Sequence, residues 1–103
     1  MFCKSIALGI AAIHFLGVIT ISCYTYEENG TATASGAVAQ PYYTVATTSE
    51  IPFGTEIYID GVGWCVVQDR GGYLIESGQR IDLFTGHDDS WGLQDRKVYV
   101  RYK

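Results

Sequence analysis

Glu56-Ile57-Tyr58-Ile59-Asp60-Gly61-Val62-Gly63-Trp64-Cys65-Val66-Val67-Gln68 is the stretch that decides the fold. Glu56 to Asp60 alternates polar and apolar side chains, the period of two that a half-buried strand requires. Gly61-Val62-Gly63 then supplies residues that tolerate positive φ, and an apolar run resumes at Trp64. The segment predicts a β-hairpin.

The same grammar extends in both directions. Upstream, Ile51-Pro52-Phe53-Gly54 is a turn, with Pro fixing φ at its second position and Gly at its last. Tyr42 to Thr48, rich in β-branched and aromatic residues, predicts another strand. Thr31 to Gly36 is small and polar and suits an exposed loop, Asn29-Gly30 a tight turn, and Tyr24-Thr25-Tyr26 an extended segment. Downstream, Arg80 to Phe84 and Val98 to Tyr102 predict strands. His87 to Leu93 fits one helical turn opened by the charges of Asp88 and Asp89. No repeat, linker or low-complexity stretch interrupts this pattern, so the expected class is all-β.

The chain has 103 residues, 48% of them hydrophobic, which supports one domain and no second core. Residues 1–22 read as a signal peptide or N-terminal membrane anchor: Lys4 gives a short positive region and Ile6 to Ile21 an apolar run broken only by His14 and Thr20. Thr20-Ile21-Ser22 before Cys23 is a poor cleavage or lipidation site. The expected layout is an apolar targeting helix over 1–22 and a β-barrel over 23–103, in an exported chain that is secreted or held at the envelope. About 80 residues are then left for folding, near the lower limit for a self-sufficient core. Closing the sheet into a barrel suits that limit, because it removes exposed edges.

The net charge is −4, and −5 without Lys4. The only basic cluster, Arg96, Lys97, Arg101 and Lys103, reads as a solvated last strand, which argues against a nucleic-acid partner. Of the three cysteines, Cys23 and Cys65 fall in the exported portion, where they either bridge adjacent strands or serve as small apolar side chains. No CxxC or His-x-His spacing occurs, so neither a metal nor another cofactor is expected.

Two carboxylates stand out. Asp69 follows Val66-Val67 and precedes Arg70-Gly71-Gly72, and Asp82 sits between Ile81 and Leu83. A carboxyl at the end of a buried strand, beside glycines that allow close backbone approach, can line a cleft where desolvation keeps its proton for general acid work. The ordinary alternative is a structural one, with Asp69 pairing with Arg70 or Arg80 or capping a turn.

Thr33-Ala34-Ser35-Gly36, Pro52-Phe53-Gly54-Thr55, Asp69-Arg70-Gly71-Gly72 and Arg80-Ile81-Asp82-Leu83-Phe84 occur in the order and approximate spacing of the three-aspartate domain family. The series is also similar to rare lipoprotein A and, more distantly, to expansins and membrane-bound lytic transglycosylase A. The resemblance implies a six-stranded double-psi β-barrel whose groove binds the glycan strands of peptidoglycan. It further implies non-hydrolytic cleavage to a 1,6-anhydro product, with Asp82 as acid and then base and Asp69 beside it. Tyr24, Thr47, Arg70, Gly71 and Gly72 are the substrate-binding positions it suggests. The family's first aspartate falls on Thr47, with Glu50 the nearest carboxylate, and no histidine precedes Pro52. Those departures favour a competing expectation, a module that binds glycan without cutting it. His87, Trp64, Trp91 and the tyrosines are further groove or sugar-stacking candidates, although core or strand-surface roles are the more ordinary use of such residues.

Overall fold

The computed structural model describes residues 12–102. They form β1 (His14–Tyr24), α1 (Tyr26–Asn29), β2 (Thr44–Ala46), β3 (Glu56–Ile59), β4 (Gly63–Asp69), α2 (Tyr73–Glu76), β5 (Arg80–Phe84) and β6 (Gln94–Arg101). The six strands close into a mixed barrel in the order β1-β5-β2-β4-β3-β6, with β6 returning to β1. β1–β5 and β2–β4 run parallel, and the other pairs are antiparallel.

The hairpin forms where the alternation places it. Tyr58 opposes Trp64 and Ile59 opposes Gly63, with the turn closed by Val62 N–H donating to the Ile59 carbonyl at 2.9 Å. Gly61 adopts φ 84°, which favours glycine, and the tip of the Arg96 side chain lies 2.0 Å from where a Cβ would stand. Ile57 and Ile59 join Ile21, Val45, Cys65, Val67, Ile81, Leu83, Val98 and Val100 inside the barrel, so every strand contributes to one core. On the outside, Phe15, Tyr99, Tyr58 and Trp64 occupy paired positions and pack edge to tilted face at centroid separations of 5.2, 6.2 and 5.3 Å. Trp64 is thus a strand-surface aromatic, held further by Arg101 stacked at 4.2 Å. Trp91 covers part of the core and donates from Nε1 to the Ile21 carbonyl at 2.9 Å.

Three expectations are corrected, and one open alternative is decided. The apolar segment expected as a targeting helix is, from His14 onward, strand β1; Met1 to Ala11 lie outside the described residues. A short apolar run has no periodicity that separates a buried strand from a buried helix. Here Val18-Ile19-Thr20-Ile21 is β-branched, and two partner strands bury it. Tyr26, expected extended, begins α1, because Glu28 Oε1 accepts the Thr25 N–H at 2.9 Å as in a capping box. The helical turn expected in His87–Leu93 is absent: Asp88 folds its carboxylate back onto the Ser90 N–H at 2.9 Å, which competes with helix formation. Cys23 and Cys65 are free and lie on strands that are not neighbours; burial pushes the Cys65 thiol up to about 12.

If β1 belongs to the barrel, a chain beginning at residue 23 opens β5 and β6 and does not fold, as read by circular dichroism. Ile21→Ala should cost about 2–5 kcal/mol in urea unfolding. A stable domain without residues 14–22 would contradict the closed sheet.

Candidate active site

Because Ile81 and Leu83 fill the barrel, strand alternation turns Arg80 and Asp82 outward. Pairing then lines up a row on the outer surface: Ser22 of β1 opposes Asp82 of β5, Asp82 opposes Ala46 of β2, and Ala46 opposes Asp69 of β4. Asp69 joins this row through an irregularity. Val45 pairs with Val67 but Ala46 with Asp69, so β4 carries one extra residue. Without that bulge Asp69, two residues after the buried Val67, would point into the core. The two aspartates are therefore two strand spacings apart, roughly 10 Å between backbones.

Their surroundings differ. Asp69 is held by three donors at 2.9 Å: the Tyr24 hydroxyl, the Ala34 N–H and its own neighbour's Arg70 N–H. It fastens the Thr33–Gly36 loop to the end of β4, with the Ser35 N–H on the Gln68 carbonyl at 3.1 Å. The buried Tyr24 phenol is pushed up, first by burial and then by the charge and hydrogen bond of Asp69 and the charge of Asp82. Tyr24 also packs on Phe84 at 5.2 Å.

Asp82 has one side-chain partner, the Ser22 hydroxyl at 3.0 Å. Burial raises its carboxyl above the ordinary aspartate range; the Ser22 hydrogen bond works against this, the charges of Glu28 and Asp69 add to it, and Arg80 opposes it. Asp82 opens into a cleft of about 270 Å³, walled by Ser22, Arg80 and α2. A half-buried carboxyl with a raised pKa that faces a cleft is suited to giving a proton to a leaving oxygen and then accepting another.

α2 was not anticipated from the sequence, and it builds the far wall. Gly71 lets it fold back, since a Cβ there would lie 2.6 Å from Ile75 Cγ1. Glu76 ties its end to the 48–49 loop by accepting the Ser49 N–H at 3.1 Å, and the Ser49 contacts lower its carboxyl pKa. Gly72, which precedes α2, borders the Asp82 cleft, and Tyr73, 79% exposed, stands at its rim.

The remaining expected positions lie elsewhere. Arg70 contacts neither carboxylate with its guanidinium. It donates to the Ile51 carbonyl at 3.0 Å and to Thr47 Oγ1 at 3.5 Å, and it stacks over Phe53 at 4.0 Å. Thr47 is 1% exposed. Glu50 lines a different cavity. His87 stacks on Tyr26 and pairs with Glu27 at 2.6 Å, beside a separate depression that includes Cys23 and Glu28. Among the described residues no group of three or more His, Cys, Asp or Glu is arranged to hold a metal. Ser22 was missed because it fell in the segment expected to be helical. The Thr20-Ile21-Ser22 alternation of that segment is the one signal that could have placed it on a strand face.

Two outcomes follow for stability. The folded state holds the Asp82 proton across a pH window, above the ordinary aspartate pKa, in which the unfolded chain has released it. Stability therefore falls as pH rises through that window. Asp82→Asn should raise Tm at neutral pH, with the gain shrinking as pH drops to the ordinary carboxylate range; a lower Tm at neutral pH would contradict a desolvated charge. Gly71→Ala should displace α2, whereas Gly72→Ala, with open space at its Cβ, should leave it in place. Amide exchange of residues 73–76 reads the difference.

Comparison with known proteins gives a family and a fold. Residues 43–102, more than half of the chain, match the 3D domain. The match starts at Tyr43, so β1 closes the barrel from outside it. No curated protein matches the chain. Among solved structures, E. coli lytic transglycosylase MltA, an aspartate-to-alanine variant in its apo-2 form, superposes with a TM-score of 0.56 at 22% identity. The likeness covers 66% of this chain and 26% of that one, so this chain spans about a quarter of its length, and at this identity it is a likeness of fold. On the strength of the match over residues 43–102, the chain belongs to the 3D domain family.

Proposed function

We propose that the protein is an exported lytic transglycosylase that acts on the glycan strands of peptidoglycan, with Asp82 as its acid and base. The observation that carries this reading is the raised, singly hydrogen-bonded carboxyl of Asp82 facing an open cleft. The family, and the name of the MltA structure, supply the substrate class. Protonated Asp82 gives its proton to the glycosidic oxygen as the bond from C1 of the muramyl residue breaks. The C6 hydroxyl of the same residue then closes on C1, and its proton passes to the Asp82 carboxylate. The product is a 1,6-anhydro sugar, and the acid is restored without an activated water, unlike the two-carboxylate hydrolytic scheme.

The other residues take supporting parts in this reading. Ser22 orients Asp82, and Asp69 with Tyr24 shapes the neighbouring floor. Gly72 allows the sugar to approach backbone, Gly71 lets α2 fold back to form the wall, and Tyr73 offers a ring face to a pyranose. Thr47 and Arg70 bond to each other away from this cleft and have no contact with the sugar at Asp82 in this reading.

A second reading, a glycan-binding module without catalysis, is favoured by the occupied state of Asp69 and by Thr47 standing where the family has a carboxylate. Mass spectrometry of peptidoglycan digests separates the two. Wild-type protein should release anhydro-muropeptides, and Asp82→Asn should lower the rate by about 10²-fold or more. The rate should decline as pH rises through the elevated Asp82 pKa. Sedimentation with peptidoglycan without any anhydro product would establish the binding module instead.

A further inference from the structure

Arg80 stands at a junction. It walls the Asp82 cleft and also a larger cavity of about 410 Å³ on the other side, which runs along Leu16–Ile19 of β1. The bulge between Phe15 and Gly17, with Gly17 at φ 143°, interrupts the β1–β6 register along this wall. Arg80 and Asp82 share a strand face two residues apart, roughly 7 Å along the strand. Among the described residues the Arg80 guanidinium makes no hydrogen bond or ion pair, although its charge reaches Asp82. A half-buried guanidinium with its donors unspent is suited to a planar anion such as a carboxylate. Glu50 lines the same cavity, and Leu16, Val18, Ile51 and Tyr102 supply apolar walls.

This lining is not that of a sugar site. One cation, one anion and small apolar surfaces complement a short zwitterionic peptide, and they meet the proposed cleavage site through Arg80. We propose that this cavity binds the peptide substituent of the muramyl residue, with Arg80 taking a peptide carboxylate and Glu50 an amine. The inference rests on the glycan-cleaving reading for its substrate and assigns that substrate's second contact. It makes the protein selective for peptide-bearing over bare glycan.

The test reads binding apart from turnover. In the Asp82→Asn background, calorimetry compares a soluble muramyl disaccharide carrying its peptide with the same disaccharide stripped by an amidase. The peptide-bearing probe should bind about tenfold tighter, which is about 1.4 kcal/mol. Adding Glu50→Gln, which lines the larger cavity and not the Asp82 cleft, should narrow the gap between the probes while leaving the stripped probe's affinity in place, and Arg80→Gln should weaken the peptide-bearing probe more than the stripped one. Arg80→Lys, which keeps the charge without the planar fork, should weaken it less and serves if Arg80→Gln misfolds. Equal affinity for both probes, no binding of the peptide-bearing one, or equal weakening of both by Arg80→Gln would overturn the proposal. Loss of anhydro products from the protein with Asp82 intact would instead overturn the cleavage reading, and the binding preference would remain measurable.

Discussion

β1 is hydrogen-bonded on one edge to β5 and on the other to β6, and this double pairing is the constraint on which the molecule depends. The parallel pairing with β5 sets Ser22 against Asp82, and the same strand carries Tyr24 to Asp69. The pairing with β6 closes the sheet, which leaves no strand edge open among the named strands. Shape, shielding and site geometry thus derive from one eleven-residue strand.

Much of the rest of the barrel was legible. The hairpin of β3 and β4 followed from alternation and from glycines at positive φ, and β5 from the short segment Arg80 to Phe84 in which Ile81 and Leu83 flank Asp82. The two outward aspartates were also legible as unusual carboxylates, because each interrupts or ends an apolar run. What could not be read was anything that needs register. The row linking Ser22, Asp82, Ala46 and Asp69 depends on pairing between strands far apart in sequence and on a single bulge. β1 was misread because a continuous apolar stretch satisfies a buried helix and a buried strand equally well. α2 escaped because four residues beginning with Tyr73 carry no periodic signal, and its shape comes from Ile75 packing over Gly71.

The two aspartates show how similar residues are given different work. Asp69 has its charge answered by three donors and serves as a fastening point. Asp82 has one side-chain donor among the described residues and a desolvated position, which raises its carboxyl above the ordinary aspartate range and makes its charge costly to stability. A site built this way puts its strain in a single group, while the surrounding core of Ile21, Ile81, Leu83 and Val45 stays apolar and fully packed.

The order of the strands also shapes how the chain comes off the ribosome. β1 pairs with β5 and β6 across sequence separations of 60 (Thr20 to Arg80) to 86 residues (His14 to Val100). Ring closure therefore waits until β6 has been made, and contacts so distant along the chain make it a slow event. Until then the Val18-Ile19-Thr20-Ile21 stretch has no lasting mate. Nascent protein passes through an interval in which this strand is sticky and unsheltered, and whatever escorts it must hold β1 until β6 emerges.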